Sequence, residues 1–190
     1  MLTFVEKYKF NVNSQNGEDG IIAEIIKRIK PKNKTAMEFG CPSFDYCSNT
    51  ALLAKNGWDV TMYDRDYNAD HRIIEKKITV DNVNEIGQPT LLSIDIDNDD
   101  YHIWAAYEYS PDIVIIEINS SIPPMTIEIP GDKGASYRAM VELGLSKGYF
   151  LLCHTGNLVF VLLKHLKLFP EVDSYSPIGH WEKFFNKSFL

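Results

Sequence analysis

The chain has 190 residues, 45% hydrophobic and 24% charged, ordinary globular values with enough length for one substantial core and too little for two. A formal net charge of -7 and an isoelectric point near 5.2 exclude a non-specific nucleic-acid binder, which needs a clustered basic face; only "KRIKPKNK" is locally basic here. Cys41, Cys47 and Cys153 are odd in number and lack a CxxC spacing, so neither a disulfide framework nor a zinc knuckle is expected. The N-terminus lacks a signal-like apolar stretch and the longest later apolar run is "LVFVLL", so the sequence predicts a soluble, cytoplasmic protein with no membrane partner.

In chain order, "GEDGIIAEIIKRIK" places Ile21, Ile22, Ile25, Ile26 and Ile29 on one stripe, with acids first and bases last, and predicts an amphipathic helix. A strand "TAMEFG" follows, then a helix in "SNTALLAKNG" with Ser48 or Asn49 as its N-cap. "WDVTMYD" reads as the second strand, "NADHRIIEKK" as a short helix and "ITVDN" as the third strand. "LLSIDID", a helix around "YHIWAAYEY", and the wholly apolar "DIVIIEIN" complete five strand candidates, most of them separated by helices. "GASYRAMVELGLSKG" is a helix, and "YFLLCHTGNLVFVLL" splits at the turn-forming "TGN" into a hairpin over 149–155 and 157–163, which must be antiparallel. The pattern predicts a single Rossmann-like α/β domain over residues 1–190, with its core at about 13–163. In the aromatic-rich extension 164–190, Trp181, Phe184, Phe185 and Phe189 share one helical face, suited to packing on the core, on a second copy of the chain in a homo-oligomer, or beside a ligand.

In an open parallel sheet, ligands sit beyond the carboxyl ends of the strands, where strand order reverses. The five strand ends carry Glu38 and Gly40, Asp64, Asp81 and Asn82, Asp95 and Asp97, and Glu117 and Asn119, a set that favours a cleft for polar ligands. An acid ending the second strand can accept hydrogen bonds from both hydroxyls of a ribose. The glycine-rich phosphate loop is missing, since "EFGCPSFDY" keeps only the first glycine, so a pyrophosphate cofactor is disfavoured while S-adenosylmethionine stays compatible.

The segments "SQNGEDGI", "EFG", "SNT", "GW" and "LLSIDIDNDDYHIW" followed by "VIIEIN" resemble the FkbM-type branch of the class I S-adenosylmethionine-dependent methyltransferases, from about Asn13 to Leu163. The resemblance implies a mostly parallel seven-stranded sheet, helices on both faces and a final antiparallel strand. It also implies Glu38 and Gly40 near the methionine part of the cofactor, Asp64 on the ribose, Asp81 or Asn82 near the adenine, and "SQNGEDG" over the cofactor, with Gln15 and Asn49 among the binding residues. The chain departs from the family pattern at Ser43 and Phe44, where members usually carry aspartate and glycine. A phenyl ring in the cofactor loop either fills the site, as in a non-catalytic binding module, or swings outward.

The four aspartates of "DIDNDD" divide by position. Asp99 and Asp100 suit a helix start, while Asp95 and Asp97 face the methyl-transfer position with Glu117 and Asn119 on the next strand. These four are the expected catalytic residues for O-methylation of a small or sugar-like acceptor, Asp97 foremost, and Asp95, Asp97 and Glu117 are also candidate ligands for Mg2+. "DID" equally resembles the DxD of nucleotide-sugar glycosyltransferases, a competing expectation.

Overall fold

A computed structural model describes residues 3–66, 70–129 and 134–172. The elements are α1 (Phe4–Tyr8), α2 (Glu18–Ile29), β1 (Thr35–Phe39), α3 (Ala51–Lys55), β2 (Asp59–Asp64), β3 (Ile73–Glu75), β4 (Leu91–Ile94), α4 (Asp100–Ala106), β5 (Ile113–Ile116), α5 (Tyr137–Ser146), β6 (Tyr149–His154) and β7 (Leu158–Leu162). They form one seven-stranded sheet in the order β3-β2-β1-β4-β5-β7-β6. The first five strands pair in parallel, and β7 inserts antiparallel between β5 and β6, so the expected α/β class and C-terminal hairpin are present.

Strand alternation divides the core. Along β5, Ile113 and Ile115 face one layer with Ile21, Ile22 and Ile25 of α2, and Val114 and Ile116 face the other with Trp104 of α4 and Met140 of α5. Both faces are therefore covered, which is why this strand reads as a continuous apolar run rather than an alternating one. No helix among the described residues is long and apolar enough to cross a membrane.

Several local expectations are corrected. Of the helix expected over 68–77, residues 68 and 69 lie outside the described residues and Ile73–Glu75 instead form β3, paired in parallel with β2 from Met62↔Ile73 to Asp64↔Glu75; the expected third strand at 78–82 leads through a turn into a 3-10 segment, Val83–Ile86. Parallel strands ordinarily need a longer crossover than residues 65–72 offer. Helix α3 takes Thr50 as its N-cap, while Ser48 Oγ accepts from the Ala51 amide at 3.0 Å. Trp181, Phe184, Phe185 and Phe189 lie outside the described residues.

Candidate functional site

Beyond the carboxyl ends of β1, β2, β4 and β5 lies a cleft in two halves. The first, about 440 Å³, is walled by Phe39 at the end of β1 and Gly40 after it, Tyr63 to Asp66 at the end of β2, Lys76 to Ile78 after β3, and Asp95 to Asp97 after β4. The second, about 460 Å³, is walled by Glu117 to Ser120 after β5, by Asn98 and Asp100, by Gly134, by Gly156 and Asn157 of the β6–β7 turn, and by Asn16. Gln15, Asp95 and Asp97 line both halves and mark where they meet. The first half sits at the switch point, because β1 has β2 on one side and β4 on the other. Each volume is in the range of a small-molecule site.

Gly40 makes the close approach that opens this cleft. Its φ of +75° is left-handed, its amide donates to the Tyr63 carbonyl at 2.9 Å, and a Cβ there would lie 1.6 Å from the Asp95 carbonyl oxygen. Asp64 ends β2 with Oδ1 accepting from the Asp66 amide at 2.9 Å, and its Oδ2 has no hydrogen-bond partner among the described residues.

The aspartate run is sorted by geometry. The β4–β5 register ends at Ile94↔Ile116, so Asp95 and Glu117 emerge side by side, close enough for their carboxyl groups to interact. Burial, then the Glu117 charge, pushes Asp95 up to about 7; burial, then the Asp100 charge, raises Glu117. Two carboxyl groups in contact share a proton, because both cannot ionise cheaply at that distance. Asp97 and Asn98 follow with left-handed φ values of 58° and 81°, and the Asp97 side chain, 74% exposed, lies 3.8 Å from the Arg65 guanidinium. Asp99 and Asp100 start α4 as expected, and buried Asp100 accepts from the Ile96 amide at 2.9 Å, with burial pushing its carboxyl up to about 6. Asn119 Oδ1 accepts from the amide and hydroxyl of Ser121, which fixes the segment after β5.

Four expected cofactor residues do not line the cleft. Glu38 is buried, 3% exposed, and its carboxylate accepts from Ser48 Oγ, Asn49 N, Thr50 N and Thr50 Oγ1, so it anchors "SNT" rather than a ligand. Burial pushes its carboxyl upward, and these hydrogen bonds to the anion work against that. Asn49 Nδ2 donates to Ser93 Oγ at 3.0 Å. Asp81 and Asn82 belong to the turn before the 3-10 segment, where Asn82 accepts from the Thr79 amide and donates to the Lys77 carbonyl. The Mg2+ expectation also fails to assemble: among the described residues no group of three or more His, Cys, Asp or Glu side chains could hold a metal ion.

Phe44 does not fill the site. Its ring is buried in a small cluster with Cys41, Ala51, Met62 and Ile73, and the Arg72 guanidinium stacks 3.7 Å from its centroid. Phe44→Ala is therefore expected to lower unfolding free energy by about 3 kcal/mol or more in urea titrations without tightening any ligand. Tighter binding by the variant would place the ring in the cleft after all.

Sequence reasoning did not single out Arg65 after β2, Lys76 and Lys77 after β3, or Gly156 and Asn157 of the β6–β7 turn. Compared with known proteins, the chain matches no family model and no curated sequence.

Proposed function

We propose that the protein is an S-adenosylmethionine-dependent methyltransferase acting on a hydroxyl of a small or sugar-like acceptor. The observation that carries this reading is a two-part cleft at the switch point, with a carboxylate ending β2 and no phosphate-binding glycine loop. The first half suits the cofactor: Phe39, Tyr63, Ile78 and Ile96 offer apolar walls to a flat base, Asp64 a carboxylate to a pair of ribose hydroxyls, and Gly40 backbone without a Cβ. When bound, S-adenosylmethionine supplies a methyl group activated by its sulfonium for in-line displacement.

The chain's own residues then have three tasks. Gln15 and the Asp95–Asp97 segment border both halves and align the acceptor with the donor. The Asp95–Glu117 pair takes the acceptor's hydroxyl proton, Glu117 as the ionised member and Asp95 as the hydrogen-bond donor that holds it in place. Ser120 and Asn157 offer hydrogen-bonding groups to the rest of the acceptor.

Calorimetry tests the donor half. The parent is expected to bind S-adenosylmethionine, and Asp64→Ala to weaken it by about 1.5 to 3 kcal/mol, the scale of a hydrogen bond to a charged group. Equal affinity in parent and variant would remove Asp64 from the site. A thermal shift given by a nucleotide-diphosphate sugar with manganese, and not by S-adenosylmethionine, would replace this reading with the glycosyltransferase one.

A further inference from the structure

Gln15 and Asn16 are exposed, while the residues before and after them, Asn13, Ser14, Gly17 and Glu18, are buried. They form the open part of a strap tied at both ends. Toward β1, the Asn13 side chain donates to the Asp45 carbonyl at 2.8 Å and the Ser48 amide donates to the Asn13 carbonyl at 3.2 Å. Toward the β6–β7 turn the tie is Glu18. Its Oε2 accepts from the Asn16 amide at 2.8 Å and its Oε1 accepts from Thr155 Oγ1 at 2.6 Å. Strap and turn also touch directly, since a Cβ at Gly156 would lie 2.7 Å from Asn16 Nδ2.

Glu18 is only 1% exposed, and a buried carboxylate is a costly way to begin a helix. The helix start does not need it, because Asp19 already places a carboxylate in the first turn, gathering the amides of Val12, Asn13 and Ser14 on its Oδ2. The bonds of Glu18 instead join two loops that the fold brings together from opposite ends of the chain. One carries Gln15, which lines both halves of the cleft; the other carries Gly156 and Asn157, which line the second half.

We infer that Glu18 is a positioning residue: its bridge from the Asn16 amide to the Thr155 hydroxyl makes the β6–β7 turn respond to a donor bound beside Gln15, so that occupancy of the first half sets the far wall of the second. The inference rests on reading the first half as the donor site. The path is short, from Gln15 to the next amide, through one carboxylate, to a threonine whose own amide donates to the Asn157 carbonyl at 2.9 Å.

Amide hydrogen exchange on the full chain, with and without saturating S-adenosylhomocysteine, reads the bridge. In the parent, the ligand is expected to slow exchange at residues 14–17 and also at 155–157 by at least about fivefold, the low end of ordinary coupling between sites. Thr155→Val removes the hydroxyl with little change of shape, and Thr155→Ala removes it without a branched side chain. Both are expected to keep S-adenosylhomocysteine affinity and the slowing at 14–17, and to lose the slowing at 155–157; Thr155→Ser should restore it. Slowing at the turn that persists in the valine and alanine variants, or is missing from the parent, overturns the inference and leaves the donor reading intact. Loss of the fold in both variants, seen in melting curves, makes the bridge a folding element and likewise overturns it. Calorimetry that finds no ligand binding by the parent removes the donor reading, and this inference with it.

Discussion

Gly40→Ala is expected to cost about 4 kcal/mol or more of unfolding free energy and to abolish S-adenosylmethionine binding. Two independent penalties add. The backbone at residue 40 is left-handed, and the new methyl group would lie 1.6 Å from the Asp95 carbonyl oxygen, a backbone atom that cannot swing aside. Relief requires β1 and β4 to separate where the Asp95 amide bonds the Phe39 carbonyl at 3.1 Å, which is the floor of the cleft. Urea titration and calorimetry check both parts. A variant within about 0.5 kcal/mol of the parent, the ordinary range of a surface substitution, would show that the strands tolerate a wider spacing there.

Asp95→Asn is expected to stabilise the protein at alkaline pH, while Glu117→Gln, which removes the proton acceptor, is expected to lower turnover by about two orders of magnitude, the lower range for loss of acid-base function. Asp95 titrates near 7 in the folded chain against an ordinary 3.8, so between those values the folded state holds more protons than the unfolded one. Its contribution to stability therefore falls as pH rises from about 4 to 7 and stays lost above that. Asparagine carries no such charge, and its amide can still donate to Glu117, so the variant should gain up to about 4 kcal/mol over the parent at pH 8 and nothing at pH 4. Urea midpoints across that range, set beside methyl transfer to an acceptor that the parent turns over, measure both effects. Asp97→Asn, on an exposed side chain near Arg65, should cost no more than about fivefold, the scale of an exposed ion pair. The reverse ranking would return the leading role to Asp97, as the sequence alone suggested.

What the sequence revealed depended on whether a feature was local. The α2 stripe, the apolar β5 run and the "TGN" hairpin are patterns of adjacent residues, and each forms as read. β3 was read as part of a helix because Ile73 and Ile74 sit among Arg72, Glu75, Lys76 and Lys77; only pairing with β2, a long-range event, makes them a strand, with Ile73 inward and Ile74 outward. The site followed the same division. Asp64, Gly40, Asp95, Asp97, Glu117 and Asn119 stand at the cleft because strand ends were recognisable. Glu38 looked the same in sequence, and the donors that satisfy it, Ser48 to Thr50, begin ten residues downstream. A hydroxyl-rich "SNT" after a strand-end acid is the signal that such an acid is already occupied.

The placement of β7 between β5 and β6 has a consequence for the chain as it leaves the ribosome. Strand β5 is synthesised long before its outer neighbour, and until Leu158–Leu162 emerges its wholly apolar edge has no partner. Strand β6, emerging just before β7, pairs with β7 and not with β5, so it cannot cover the gap. A nascent or truncated chain ending before residue 158 therefore carries an open strand edge suited to pairing with other chains. The sheet closes only when nearly all of the described residues have been made, and quality control during synthesis would meet this edge first.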